Sequence, residues 1–361
     1  MPDLRTIILY RCGALGDTLV ALPVYQALRK AFPAARIVWM SQGGRLGTLW
    51  PVTVLTQLGT DIETFIYTAT EMISPVGVMT LISRVRALKA DSVIYLPNDK
   101  NGALRIWRDR LFFNCCGVKR FLTPASAGKV DLLGRLVGKD MRYPKETARL
   151  MTVLPSLGIK NAAVRFFDLQ YSELPVEWDQ IGLRRDAAVP LVAVCPGSKM
   201  PSKRWPAVRY AAVLSRLSAG TDAQFCFLGG AEDAAVSAEI VVKAGISARS
   251  GIAAGRLTLG GSAALLSRCS MYIGNDTGAM HLAAALGVGC VAVFSGRDLP
   301  ESWYPWGEGH ACLQAAVPCM GCELTECTRP DCLQGVSEEA VSDACFRVLA
   351  REKQTGSSWE R

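Results

Sequence analysis

The sequence predicts an α/β protein built from two doubly wound domains that face a central cleft. Three observations carry this expectation. Short β-branched runs alternate with helical patterns along most of the chain. The alternation breaks once, over the looser polar and aromatic stretch "FDLQYSELPVEWDQIGLRRD" from Phe167 to Asp186, and then restarts at "PLVAVCPGS". At 361 residues, the chain also exceeds one ordinary hydrophobic core.

In the first half, Thr6 to Tyr10, Arg36 to Met40, Thr64 to Tyr67 and Ser92 to Leu96 read as strands, separated by helical segments such as "SRVRALKA". Strands joined through helices are parallel, which gives a βαβ sheet. The second half repeats the scheme, with strands at Leu191 to Cys195, Gln224 to Leu228, Met271 to Gly274 and Cys290 to Phe294. Helices are expected at about Pro206 to Ser218, Met280 to Leu286 and, at the end, Ser337 to Arg351. The domains are placed at 1–175 and 176–361. In such sheets ligands bind beyond the carboxyl ends of the strands, so function is sought in the loops that follow them.

Composition narrows the class. Half of the residues are hydrophobic and a fifth are charged, with no low-complexity tract, so the chain folds. The apolar stretch between Arg5 and Arg11 is too short for a signal sequence or a membrane span. The longest apolar run, Leu282 to Phe294, reads as a helix end, a glycine turn and a strand. A cytoplasmic protein without transmembrane helices is therefore expected. Thirteen cysteines are present, but Cys195, Cys226, Cys269 and Cys290 lie in apolar strands and helices, where cysteine packs as a small hydrophobe.

The net charge of +8 points to anionic partners. Between Lys100 and Arg149, twelve basic residues face only Asp109, Asp131, Asp140 and Glu146. That segment reads either as a solvated helical surface or as a patch facing an acceptor or a membrane. It lacks the interleaved aromatic platforms of single-strand binders, which argues against nucleic acid.

Three loops carry the chemistry. In "TIILYRCGALGDTLVALP" an apolar strand leads through a glycine turn into a helix, the form of an anion-binding loop, yet Asp17 occupies it. Asp17 reads either as a cap of the first helix or as a base. In "MYIGNDTGAMHLAAALG", Asp276 and Thr277 end a strand, Gly278 gives the turn, and the first helical turn offers N–H groups beside His281. This loop can hold a diphosphate, or it is an ordinary helix start capped by Asp276 or Thr277. In "CPGSKMPSKRWP", Lys199, Lys203 and Arg204 are candidate phosphate ligands and Ser198 a candidate donor.

Several absences prune the alternatives. No Asp-X-Asp pair occurs, and there is no G-x-S-x-G elbow, P-loop or G-x-G-x-x-G fingerprint. His281 and His310 are the only histidines, too few for a His-based metal site.

Taken in order and spacing, "GALGDTLVALPVYQALRKAFP", "PGSKMPSKRWP" and "GNDTGAMHLAAALG" resemble glycosyltransferase family 9, the lipopolysaccharide heptosyltransferases. The resemblance runs from Ile7 to about Leu349. It implies the GT-B fold, with two Rossmann-like domains, the N-terminal one binding the acceptor and the C-terminal one the nucleotide sugar. It further implies inverting transfer from ADP-heptose with no catalytic cofactor, onto an anionic glycolipid or other glycan. Work at the inner face of the plasma membrane, with peripheral contact to it, is part of the same expectation. The family's base maps to Asp17, and its donor contacts map to Ser198, Lys203, Asp276, Thr277, Gly278 and His281. Gly278 is followed by Ala279 and Met280, and the other loop reads "SKMPSKRW", so no phosphate role passes to Lys199 or Arg204. Two other readings stay open: a GT-B-like sugar-nucleotide epimerase or hydrolase, and a non-catalytic nucleotide-sugar or anionic-glycan binding module.

The segment "PCMGCELTECTRPDC", Pro318 to Cys332, places Cys319, Cys322, Cys327 and Cys332 at gaps of two, four and four. Four thiolates this close can wrap one structural zinc or iron ion, although the spacing is not that of a zinc ribbon. A related protein-heptosyltransferase branch has an iron-binding cysteine finger, which the resemblance extends to this segment. The other readings are cysteines packed under the terminal helix and disulfides formed after isolation.

Overall fold

The computed structural model describes residues 4–43, 62–98, 102–125, 144–160, 178–183 and 188–355. The chain divides into two compact units, Met1–Phe166 and Phe167–Arg361. The boundary placed at 175/176 from sequence, and the basic residues Lys100, Lys129, Arg135, Lys139 and Arg142, lie outside the described residues.

The first unit is a five-stranded parallel sheet, comprising β1 (Thr6–Tyr10), β2 (Arg36–Gln42), β3 (Glu63–Tyr67), β4 (Ser92–Tyr95) and β5 (Arg120–Leu122). Its order is β3-β2-β1-β4-β5. Ile8 of β1 lies opposite Val38 on one side and Val93 on the other. Ile7, Ile8 and Leu9 are fully buried, because a central parallel strand is covered on both faces and so reads as continuously apolar. The helices are α1 (Leu15–Ala31), α2 (Pro75–Ala87), α3 (Ala103–Cys115) and α4 (Glu146–Met151). Ser74 caps α2 by accepting the Gly77 N–H at 3.0 Å, and Pro75 takes the first helical position, where no N–H is needed.

The second unit is a six-stranded parallel sheet ordered β11-β10-β9-β6-β7-β8. Its strands are β6 (Leu191–Cys195), β7 (Gln224–Phe227), β8 (Ser250–Ile252), β9 (Met271–Asn275), β10 (Cys290–Phe294) and β11 (Ala311–Gln314). Its helices are α5 (Ala207–Gly220), α6 (Ala234–Ala244), α7 (Leu259–Leu266), α8 (Gly278–Ala285), α9 (Asp331–Gln334) and α10 (Glu338–Thr355). One core joins Val192, Phe225, Ile273 and Val293 of the sheet to Tyr210 and Leu214 of α5 and to Val341 and Val348 of α10. Burial pushes the Cys195 thiol up to about 12 and raises those of Cys226, Cys269 and Cys290, as expected of cysteines used as hydrophobes.

Both sheets reverse their strand order once, at β1/β4 and at β6/β9. Backbone spreads apart at such a point, which opens a crevice at the carboxyl ends of the strands. The two reversal points are therefore where the loops singled out from sequence come to lie. No helix among the described residues is long and apolar enough to cross a membrane.

Candidate functional site

At the reversal point of the first sheet, Arg11 leaves β1 and turns back under the loop that follows β4. Its Nη1 donates to the carbonyls of Pro97 at 3.0 Å and Leu96 at 3.4 Å. Its Nη2 meets Asp17 Oδ1 at 2.9 Å and Glu146 Oε1 at 3.1 Å. Arg149, one helical turn after Glu146, clasps the same carboxylate through Nε at 2.6 Å and Nη2 at 2.8 Å, and also reaches the Pro97 carbonyl. Arg11, Glu146 and Arg149 are all buried, whereas the Asp17 side chain keeps a fifth of its surface open. Burial alone would raise the Glu146 carboxyl, but the two guanidinium groups outweigh it and hold the group below its usual value.

Asp17 is not the cap of α1. Ala14 holds that position, and Asp17 sits three residues on, where its Oδ2 accepts the Ala14 N–H at 3.0 Å. A reciprocal bond of this kind ties the helix start to the loop, which explains the acid in local terms. The other oxygen is left to Arg11. Gly13 has φ +146°, and a Cβ there would lie 2.2 Å from the Asp17 carboxyl carbon, so the glycine is required both by conformation and by room for this acid.

At the reversal point of the second sheet, Asn275 ends β9 and is fully used. Its Oδ1 accepts from the Trp205 N–H at 3.1 Å and the Tyr210 hydroxyl at 2.9 Å. Its Nδ2 donates to the carbonyls of Pro196 at 2.7 Å and Gly197 at 3.3 Å. One amide thus pins the loop after β6 to the loop after β9. Lys203 extends from the first of these loops and pairs with Asp276, and its Nζ also meets Asp298 Oδ2 at 2.9 Å. Arg297 Nη1 closes the group on Asp298 Oδ1 at 3.0 Å. Burial lowers the Lys203 ammonium, but the two carboxylates outweigh it and the net shift is upward. Asp276 is raised, first by burial and then by the Asp298 charge, against the pull of Lys203. Two acids share one ammonium, so the repulsion from Asp298 offsets part of its pull on Asp276.

Thr277 precedes α8 in extended conformation, and its carbonyl receives the N–H of Met280 at 3.1 Å and of His281 at 3.4 Å. Asp276 is thus an ion-pair partner, not a helix cap. Gly278 opens α8, and His281 is buried one turn on, edge-to-face with Trp303 at 6.0 Å. Ser198 accepts the Met200 N–H on its hydroxyl at 3.2 Å. The structure therefore gathers Ser198, Lys203, Asp276, Thr277, Gly278 and His281 on the loops and the helix start at one reversal point, and sets Asp17 in the first turn of α1, at the reversal point of the other sheet. Arg11, Glu146, Arg149, Arg297 and Asp298 escaped the sequence reading. The signal for Arg11, Arg297 and Asp298 was a charge in the loop just after a buried strand, as in "LYRCG" and "FSGRD", whereas Glu146 and Arg149 lie on a helix and follow no strand.

The cysteine segment corrects an expectation. Among the described residues, no three His, Cys, Asp or Glu side chains converge in a way that can hold a metal ion. Cys319 and Cys327 are exposed, Cys322 and Cys332 are half-buried, and none is disulfide-bonded. The reason is local: Cys332 is drawn into α9, where it lies 3.2 Å from the position of a Cβ on Gly296, while Cys319 and Cys322 stay in the preceding turns. The donor set does not fit a tetrahedral ion, and no chemistry is assigned to one.

The model of glycosyltransferase family 9 (heptosyltransferase) matches residues 150–332, half of the chain. The chain belongs to this glycosyltransferase family. Over 115 residues it is 32% identical to lipopolysaccharide heptosyltransferase 2 of Escherichia coli (strain K12), a match that covers 31% of this chain and 32% of that protein. The aligned part thus spans about a third of the curated relative's length. Solved structures extend the likeness to the whole fold. A glycosyltransferase family 9 protein from Veillonella parvula superposes with a TM-score of 0.69 at 22% identity, covering 96% of this chain and 97% of that one. The E. coli ADP-heptose lipopolysaccharide heptosyltransferase II gives a TM-score of 0.64 at 20% identity, covering 96% and 99%. The family member has the GT-B fold of these proteins. The matched span contains Ser198, Lys203, Asp276, Thr277, Gly278 and His281 but not Asp17.

Proposed function

We propose that the chain is an inverting, metal-independent glycosyltransferase that moves a heptose from an ADP-sugar to a hydroxyl of an anionic lipopolysaccharide core or other surface glycan, working in the cytoplasm at the membrane. The observation that carries this reading is the reversal point of the second sheet, where Asn275 locks two loops together and Lys203 stands beside the start of α8. Lys203 Nζ has three N–H donors, and the two aspartates occupy two of them, which leaves one for a phosphate oxygen. The α8 N-terminus adds unpaired N–H groups and a positive dipole end, the setting that favours an anion.

In this reading the C-terminal domain holds the donor through Ser198, Lys203, Asp276, Thr277, Gly278 and His281, and the N-terminal domain holds the acceptor. Asp17 accepts the proton of the attacking hydroxyl as its oxygen bonds to the anomeric carbon. The bond from that carbon to the diphosphate oxygen breaks, and ADP departs against Lys203 and α8. A single displacement of this kind needs one base and one stabilised leaving group. Arg11 acts as a positioning residue, holding the carboxylate that the Ala14 N–H also orients.

The test is a melting experiment without divalent metal. At a hundred times its dissociation constant, ADP is expected to stabilise the protein by about 2.7 kcal/mol. Protection by UDP or GDP with none by ADP overturns the donor assignment. Product formation with acceptor, set against donor consumption without it, separates a transferase from a hydrolase or epimerase. Tight ADP binding without turnover on any acceptor would leave a binding module.

A further inference from the structure

Helices α2 and α3 cover the same face of the first sheet. Leu81 and Val85 of α2 and Phe113 of α3 pack in one core with Ile8, Tyr67 and Tyr95. With their inner stripes used in this way, the outer faces of the two helices should be polar. They are not. Ile73, in the turn before α2, is 79% exposed, and Val76 and Met79 follow it at 77% and 65%. On α3, Leu104 is 81% exposed, Trp107 62% and Leu111 49%. Spacings of three, and of three then four, put each set on one stripe. Five of the nine large hydrophobics that the described residues expose thus lie on this one pair of neighbouring helices, and Ile73 in the turn that leads into α2 is a sixth.

The two helices themselves carry charge of a single sign at the surface, while Glu71, in the turn before α2, pairs with Arg84. α2 contains no acid, and the one acid of α3, Asp109, is buried and accepts from the Tyr95 hydroxyl at 2.6 Å and from Arg108. Arg84, Arg86, Arg105, Arg108 and Arg110 are exposed on the same two helices. Two apolar stripes, one with a tryptophan at its middle, bordered by guanidinium groups and with Glu71 neutralised by Arg84, match the interface of an anionic bilayer. Leucine and methionine enter the boundary of headgroups and chains, tryptophan sits at headgroup depth, and arginine meets phosphate.

The position is as informative as the composition. In a βαβ unit the helix runs back against its strands, so helix N-termini lie at the carboxyl ends of the strands. Ile73, Val76, Met79, Leu104 and Trp107 fall in the first half of α2 and α3 or just before it, at the end of the sheet that carries Arg11 and Asp17.

We propose that this face of α2 and α3 is a docking surface for an anionic lipid membrane, and that docking sets the Asp17 end of the N-terminal domain beside the bilayer. The docking stands on the exposed residues alone. Its use, delivery of a lipid-linked acceptor to Asp17, rests on the glycosyltransfer reading.

The experiment is co-sedimentation of the full chain with vesicles, in the absence of donor and acceptor. Vesicles containing phosphatidylglycerol are expected to bind the protein at least tenfold more tightly than pure phosphatidylcholine, with loss at high salt. Met79→Glu with Trp107→Glu should cut partitioning tenfold or more at unchanged melting temperature. Arg105→Gln or Arg110→Gln should each cost about fivefold. Equal binding to neutral and anionic vesicles overturns the proposal, as does unchanged partitioning of the double variant. So does the absence of vesicle binding, and a dimer that the double variant dissolves would then make the face a protein interface. ADP protection is measured separately, so failure here leaves the donor assignment standing, and failure there leaves the docking surface standing.

Discussion

The two domains place a buried charge cluster at the same topological position, the point where strand order reverses, yet they balance it in opposite ways. In the N-terminal domain two guanidinium groups enclose Glu146, and its carboxyl is held below the usual range. In the C-terminal domain one ammonium serves two carboxylates, and Asp276 is pushed up. The first arrangement has fixed forks and multiple hydrogen bonds, with the buried Arg11 Nε left without a partner among the described residues, and suits a scaffold that holds Asp17 still. The second keeps an ammonium donor in reserve and an acid under repulsion, and suits a site whose partners change when an anion arrives.

The largest effect should come from the residue that the N-terminal scaffold presents. Asp17→Asn is expected to lower turnover by about 10²- to 10⁴-fold with ADP binding unchanged, the range for a lost general base. Turnover near that of the parent would reduce Asp17 to its bond with Ala14. Next, Glu146→Ala strands Arg11 and Arg149 without their shared carboxylate and should cost about 3 to 5 kcal/mol of stability. Chemical denaturation followed by probes in each domain should locate that loss in the N-terminal one. A uniform loss would mean that the cluster is not local.

In the C-terminal domain, Lys203→Ala should weaken ADP by about 1.5 to 3 kcal/mol, the value of a charge-assisted hydrogen bond. Titration calorimetry showing unaltered affinity would remove Lys203 from the donor site. The smallest effect, and the sharpest test of the contrast, is the pH dependence of stability. Glu146 is lowered from 4.5, so its contribution is present above that value and fades as pH falls through its folded pKa. Asp276 is raised from 3.8, so the folded state keeps the proton longer and stability falls as pH rises through the window above 3.8. Glu146→Gln should therefore flatten the acid limb of the stability curve, and Asp276→Asn should remove the opposing slope. The same slope from both variants would sink the comparison.

Much of the fold was legible in the sequence, because central parallel strands must be apolar throughout. β1, β6 and β10 coincide with their sequence limits for that reason. The edge strands β5, β8 and β11 were not legible: they span three or four residues and are only partly buried, which leaves no pattern to read. The loops after β6 and β9 could be located because glycine, a strand end and a helix start come in a fixed local order. The inner structure of those loops was hidden, since Lys203 and Asp276 are 73 residues apart and Arg11 and Glu146 further still.

The sequence by itself determined two parallel α/β sheets, the loops that follow their strands, and the presence of an acid next to the first of these loops, in what the structure shows as the first turn of α1. Each of those follows from local order and periodicity, which the chain states residue by residue. Tertiary structure alone decided that Asn275 bolts two loops together, that Glu146 is a partner and not a surface charge, that Lys203 stands between two aspartates, and that four neighbouring cysteines do not converge. These depend on which segments are brought within a few ångströms, and charge interactions fall off too steeply with distance and solvent for the order of residues to reveal them.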